Sequence, residues 1–391
     1  MTGTKRLHYE DPLALDAGAC VLAHETFRDA PSVVLDRTPF YPESGGQLAD
    51  RGVLRFEGGE VRVRDAQLDP EGRVHHLVEG TPPPVGAEVE AHVEGVRRRV
   101  HMALHSGQHA LSRALLDTLG AVTVSSRLGA SACTLDVDVD RLSLDDVRRA
   151  EDVVNRVIDE DRPIESKFVN DAELATLDLR KPPTVSERVR VVVIDGFDIT
   201  PCGGTHATHT AQIELLRIGS VERYKGGTRI TFEAGPRARS ALGVDSDRLR
   251  EAARVLGCAP AEVSAILEGQ RAKLDAATRE AGLLRTQLAE AWAGALPDAR
   301  RVFFSVDGGD AALLKAIAQR AATGDRVLVL TAPVAGATHL LVACGPDADE
   351  DAGALLRNIA EAHGGRGGGR KALAQGRLPE GISAAELNEG V

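Results

Sequence analysis

Apolar and polar residues alternate over short runs in the first quarter of the chain and then change to helical spacing. Runs such as Ser32-Val33-Val34-Leu35 and Glu60-Val61-Arg62-Val63 are separated by turns rich in Gly, Pro and Asp. This pattern predicts a β-rich, barrel-like subdomain over residues 1–95. From 96 to 240 the pattern mixes. A helix is expected over 101–116 and a strand over 133–137. Residues 143–161 form an amphipathic helix with Ser143 as N-cap and Leu144, Val147, Val154, Val157 and Ile158 on its apolar face. The unbroken β-branched run 188–194 predicts a buried strand, and strands follow over 211–218 and 228–233. These elements suit a two-layer α/β core.

Residues 241–297 read as a helical linker. Leu267, Leu274, Ala281 and Leu288 recur every seven residues, with Val263, Ala277 and Leu284 on an adjacent row. That is a coiled-coil-like seam, suited to dimerisation or to packing on the C-terminal part. Residues 298–391 form a small α/β domain, with strands over 301–306, 326–331 and 339–344, a helix over 311–322 and a mixed sheet. The whole is an α+β protein. Near its end comes His363-Gly364-Gly365-Arg366-Gly367-Gly368-Gly369-Arg370-Lys371. Its glycines suggest a flexible loop whose exposed amides, beside Arg366, Arg370 and Lys371, cradle RNA phosphate. A short helix is expected at 371–375.

Charge and cysteine content narrow the class. The net charge of −11 argues against general nucleic-acid binding and confines any RNA site to local basic clusters. Five scattered cysteines argue against a disulfide framework and for a cytoplasmic protein. No apolar run is long enough for a membrane span, and nothing behind Met1–Arg6 resembles a signal peptide.

Two stretches carry chemistry. In the helix 101–116, His101, His105 and His109 stand four apart and so share one face. Far downstream lies Cys202-Gly203-Gly204-Thr205-His206, with His209 beyond. Two helical histidines one turn apart, with a distant Cys and His, form the ligand set of one tetrahedral zinc per chain. Spacing leaves the register open: His101 with His105 fits as well as His105 with His109, and His206 competes with His209. The protease motif H-E-x-x-H is absent. A closed four-ligand set also suits a purely structural zinc. Adjacent His75 and His76 lie in a strand-like run and face opposite sides, so they read as structural. Gly45-Gly46-Gln47 reads, on its own residues, as a hairpin loop.

Taken together, three motifs resemble one family. His105-Ser106-Gly107-Gln108-His109-Ala110-Leu111 looks like its histidine helix, Cys202–His206 like its signature loop, and Phe40-Tyr41-Pro42 with Gly45-Gly46-Gln47, Asp50 and Gly52 like its N-terminal motif. The family is the alanyl-tRNA editing proteins, free-standing relatives of the editing domain of alanyl-tRNA synthetase. The C-terminal residues resemble the domain at the synthetase C-terminus, which matches the long form of the family.

The resemblance implies His105, His109, Cys202 and His206 as the zinc ligands. It implies hydrolysis of mischarged Ser-tRNA(Ala), and of Gly-tRNA(Ala), by an enzyme acting in trans, since no aminoacylation core precedes residue 1. A hydrophobic synthetic site rejects an added hydroxyl by only about a hundredfold, so a second sieve is needed. Gln108, Thr205 and Ser106 are the candidates for a polar catalytic pocket; Gly45, Gly46, Gln47, Gly203 and Gly204 are candidates for holding substrate. Where many family members carry Thr-Ala between the histidines this chain has Ser106-Gly107, and Gly107 is expected to widen the pocket. A nuclease activity, suggested by the C-terminal domain alone, lacks its Asp-His-His triplet.

Overall fold

A computed structural model describes residues 3–183 and 188–388. The chain divides into two compact units, Met1–Leu249 and Arg250–Val391, each taken here by itself.

The first unit opens with a closed six-stranded barrel in the order Asp16–Phe27, Ala30–Leu35, Val74–Glu79, Gly59–Leu68, Gly52–Phe56 and Glu88–Val93. Its strands show why the sequence alternates. Val61 and Val63 are buried while Glu60, Arg62 and Arg64 are exposed, so every second side chain fills the barrel. Phe40 plugs it from the loop after Arg37–Thr38. Gly52 is obligatory there: a Cβ would lie 1.9 Å from the carbonyl oxygen of His92. His75 and His76 point to opposite partners. His75 contacts Ser32 and Asp69, and His76 is fixed between Thr38 Oγ1 at 2.7 Å and the Val33 carbonyl at 2.9 Å.

The histidine helix spans Gly95–Leu119 and ends on Gly120, whose φ of 65° makes a left-handed cap. It packs on a four-stranded sheet ordered Leu216–Tyr224, Gly227–Ala234, Cys133–Val137, Thr123–Leu128. The helix Leu144–Asp159 lies beside it, with the Ser143 capping box formed and Val147, Val154, Val157 and Ile158 buried as expected. Residues 211–218 are not one strand: Thr210–Ile213 is a 3-10 turn, and the strand begins only at Leu216. Glu214, at φ 63°, breaks the extended run. A three-stranded antiparallel sheet, Ile164–Val169, Val189–Ile194, Asp198–Pro201, completes the unit.

In the second unit the helix Val263–Ala295 packs its C-terminal end, through Ala289 and the half-buried Trp292, on the helix Ala311–Ala321 and on Phe304 of a five-stranded mixed sheet. The sheet order is Arg301–Ser305, Val327–Val334, Ala337–Cys344, Leu373–Leu378, Arg366–Arg370. Only its first pair is parallel. The expected heptad seam is laid out along the helix, yet Leu267 and Leu274 are 50% and 67% exposed.

The glycine-rich run is a correction. Residues 366–370 are an edge strand, and 371–375 are not helical but lead into its partner strand. The glycines serve close packing, not flexibility. A Cβ on Gly369 would lie 2.3 Å from Ala374 Cα, and one on Gly367 would strike Leu356 of the helix Ala352–Ala362 above. Pairing on both edges overrides the helix propensity of Ala372, Leu373 and Ala374. Arg366, Arg370 and Lys371 are exposed, and Arg366 pairs in register with Arg377.

Candidate metal centre

Two tethers assemble the centre. The first is a two-residue turn. Ser44 and Gln47 bridge antiparallel around Gly45 and Gly46, whose φ values of 57° and 86° are those of a type I′ hairpin. The hairpin loop expected there is present, and it turns Gln47 inward. Gln47 is fully buried, its Oε1 accepting from His105 Nδ1 at 2.7 Å and from the Thr205 amide at 3.2 Å, while its Nε2 donates to Thr205 Oγ1 at 2.8 Å. The second tether is the hairpin Val189–Ile194 and Asp198–Pro201, whose second strand delivers Cys202. Arg190 on the first strand donates to the carbonyls of Cys202 and Gly204 at 2.8 and 3.0 Å and so fixes the loop.

The ligand atoms of His105, His109, Cys202 and His206 lie within 4.8 Å of one another, and this group can hold a metal ion. Of the registers that spacing leaves open, this is the one whose ligand atoms the fold brings together. His101 is buried one turn away with its Nδ1 unpartnered, and His209 caps the 3-10 turn Thr210–Ile213. The donor chemistry fits a cation. His105 Nε2 and His206 Nε2 both lie 3.4 Å from Cys202 Sγ, while their Nδ1 atoms face Gln47 Oε1 and Ser106 Oγ. Such outer partners fix the tautomer that presents Nε2. His109 has Asp198 at 3.7 Å from its Nδ1.

Burial drives the imidazoles to their neutral form, His105 to about 3 and His206 to about 4, with Arg190 adding to both. His109 is likewise well below its ordinary value through burial and the neighbouring His206 and His105. Burial raises the Cys202 thiol, but the His206 ring, the Gly204 amide and Arg190 pull harder, so it falls below its usual value. Neutral imidazoles and an acidified thiol are the protonation states a metal requires.

Gly204 is required for contact: a Cβ there would sit 2.1 Å from His105 Cε1. Ser106 and Thr205 are enclosed, Ser106 Oγ accepting from the Ala207 amide at 3.0 Å. Gln108 lines a cleft of about 1090 Å³ together with His105, His109, Cys202, Gly203 and Gly45. Its Nε2 donates to Ser112 Oγ at 2.8 Å. Gly107 does not widen this cleft. It faces the sheet, where a Cβ would meet Ala234 Cβ at 3.0 Å, so the small residue permits close helix–sheet packing. Sequence reasoning missed Asp198, Arg190, Tyr9 and Phe168. None belongs to a motif, and only folding brings them to the cleft and its ligands.

Residues 17–97 match the family of class II (A) tRNA synthetases, and residues 189–231 match the threonyl and alanyl tRNA synthetase second additional domain. The alanine–tRNA ligase of Methanopyrus kandleri is 31% identical over 99% of this chain and 44% of its own length. That of Pyrobaculum neutrophilum is 35% identical over 96% and 42%, and that of Archaeoglobus fulgidus 32% over 98% and 43%. The chain therefore spans less than half the length of these relatives. Among solved structures, the C-Ala domain of Aquifex aeolicus alanyl-tRNA synthetase overlaps 24% of this chain and 88% of its own, at 17% identity and a TM-score of 0.22. Among the described residues no helix is long and apolar enough to cross a membrane, and all five cysteines are free.

Proposed function

For a chain that fits an alanyl-tRNA editing protein related to alanyl-tRNA synthetase, we propose zinc-dependent hydrolysis of the ester in Ser-tRNA(Ala), carried out in trans in the cytoplasm, with Gly-tRNA(Ala) as a second substrate. The observation that carries this reading is the cluster of His105, His109, Cys202 and His206 at the wall of the cleft. A metal there supplies positive charge to polarise an ester carbonyl. The chain's own residues do the rest. Gln47 and Ser106 hold the rings of His105 and His206 in register, and Gly203 leaves room for the acyl group. Gln108 Nε2 is committed to Ser112, so its carbonyl oxygen is the acceptor for a seryl hydroxyl. Water adds to the carbonyl carbon, the bond to the ribose oxygen breaks, and that oxygen takes up a proton, releasing serine and tRNA. An aminoacyl ester is activated, so orientation provides much of the rate.

In this reading residues 1–95 and 96–240 form the two walls of the editing unit, and 241–297 pairs two copies. Residues 298–391 bind RNA, with Arg366, Arg370 and Lys371 on phosphate. The test is deacylation of Ser-tRNA(Ala) beside Ala-tRNA(Ala) by wild type and Cys202→Ala, with metal assayed in both. Hydrolysis of the seryl ester alone, lost together with zinc in the variant, is the expected result. Bound zinc without hydrolysis of either ester would instead make the protein a tRNA-binding module with structural zinc.

A further inference from the structure

The cleft beside the metal cluster has a second wall that the hydrolysis itself does not use. The chain carries 58 acidic and 47 basic residues, so an unpaired cation is conspicuous. Of the cations lining this cleft, Lys5 pairs with Glu10 at 3.0 Å. Arg6, Lys181, Arg188 and Arg190 have no carboxylate partner among the described residues. Three of them lie over aromatic rings instead. Arg6 and Arg190 lie 4.7 and 5.2 Å from the centre of Tyr9, and Arg188 lies 5.0 Å from that of Phe168.

The two rings meet edge to face, 5.6 Å apart at 84°. Phe168 sits directly opposite Arg190 in the antiparallel pair Ile164–Val169 and Val189–Ile194, which puts both on one face. An isolated surface phenylalanine would need no explanation. This one is 41% exposed, lines the cleft and has guanidinium groups around it.

We propose that Tyr9 and Phe168, with Arg6 and Arg188, form a stacking platform for the single-stranded 3′ end of an RNA, backed by the buried Arg190 that ties the Tyr9 ring to the Cys202–Gly204 loop. Rings that accept a base face, alternating with cations that accept phosphate, are the recognition chemistry of single-stranded nucleic acid. The platform's place fits that substrate. Arg190 is hydrogen-bonded to the Cys202–Gly204 loop, and a Cβ on Gly203 would lie 3.5 Å from the Tyr9 hydroxyl. A base stacked here holds its own ribose next to the metal cluster. The assignment rests on the ester-hydrolase reading for the position of the ester, but binding can be measured without catalysis.

The experiment is fluorescence anisotropy with the full chain and an uncharged acceptor stem-loop RNA, intact or lacking its terminal nucleotide. Phe168→Ala weakens binding of the intact RNA by roughly 5- to 150-fold, the range that 1–3 kcal/mol per stacked base implies. It leaves the trimmed RNA unaffected, and Phe168→Tyr restores binding. Arg188→Ala lowers the salt slope by about 0.7, as for one single-strand phosphate. Equal affinity of Phe168→Ala and wild type for the intact RNA would overturn the platform. So would an equal loss for both RNAs, which would report a folding or backbone effect. If binding follows the platform but no seryl ester is hydrolysed, the hydrolase reading fails and the platform stands. If Phe168→Ala hydrolyses Ser-tRNA(Ala) with unchanged KM, the reverse holds.

Discussion

Gln47 Oε1 accepts a hydrogen bond from His105 Nδ1 at 2.7 Å, across 58 positions of sequence. This one contact ties the barrel's hairpin to the metal helix and turns His105 Nε2 toward Cys202. Outer partners of this kind are worth about 10- to 100-fold in metal affinity. Gln47→Ala is therefore expected to fold normally but to lose a metal bound at this cluster to a competing chelator at about 10- to 100-fold lower concentration. Unchanged chelator competition would show that the Gly45-Gly46-Gln47 turn acts elsewhere.

The histidine helix is anchored at its start by a buried ion pair. Arg98 Nη2 lies 2.5 Å from Asp50 Oδ2, both side chains almost fully enclosed, and Arg98 also donates to the carbonyls of Pro12 and Pro39. The same carboxylate accepts from the Tyr41 amide at 2.7 Å. Removing one partner leaves a buried charge unpaired, which costs about 3–5 kcal/mol. Asp50→Ala should lose that much in urea denaturation, whereas exposed Asp145→Ala should lose almost nothing.

Gly107 offers a separate check on the cleft. A Cβ at Gly107 meets Ala234 and Leu216 in the sheet and not the cleft. Gly107→Ala gains about 1 kcal/mol of helix propensity and gives back a similar amount in crowding. The expected result is a small change in thermal stability and an unchanged ratio of seryl to alanyl ester hydrolysis. A shift in that ratio would place residue 107 against substrate.

His76 makes stability depend on pH. Burial pushes its pKa down to about 4, and it is held neutral, donating to the Val33 carbonyl and accepting from Thr38. The unfolded histidine, with its ordinary value of about 6.5, binds a proton more readily than the folded one. Stability is therefore full above about pH 6.5 and falls as pH drops toward 4. His76 alone should cost about 2 kcal/mol between pH 7 and pH 5. Denaturation midpoints across that window, with His76→Gln as the comparison, measure this contribution.

The exposed heptad row on Val263–Ala295 predicts self-association. Leu267, Leu274 and Leu288 stand 50%, 67% and 47% exposed on one helix face. Light scattering should report a dimer for wild type and a monomer for the Leu267→Glu, Leu274→Glu double variant. A monomeric wild type would leave the row to another partner.

The sequence by itself determined what depends on local periodicity and on short motifs. Alternation of valines with charged residues specified the barrel strands. Ser143 with Asp146 specified a helix start, and histidines four apart specified a shared face. Tertiary structure decided what depends on long-range contact. His105 and His109 rather than His101 meet Cys202, because the Asp198–Pro201 hairpin meets the helix at that level. Residues 366–369 look flexible in composition, yet they form a strand because their lack of Cβ atoms lets a neighbouring strand and the helix Ala352–Ala362 approach. Gln47 is drawn to an imidazole by a turn whose purpose no local pattern reveals. Tyr9 and Phe168 are separated by most of the first unit, and only the sheet register that sets Phe168 opposite Arg190 brings them to one wall. Backbone propensity and side-chain spacing act over a few residues, whereas a site is a coincidence in space, fixed only when the packed core selects among the pairings that spacing allows.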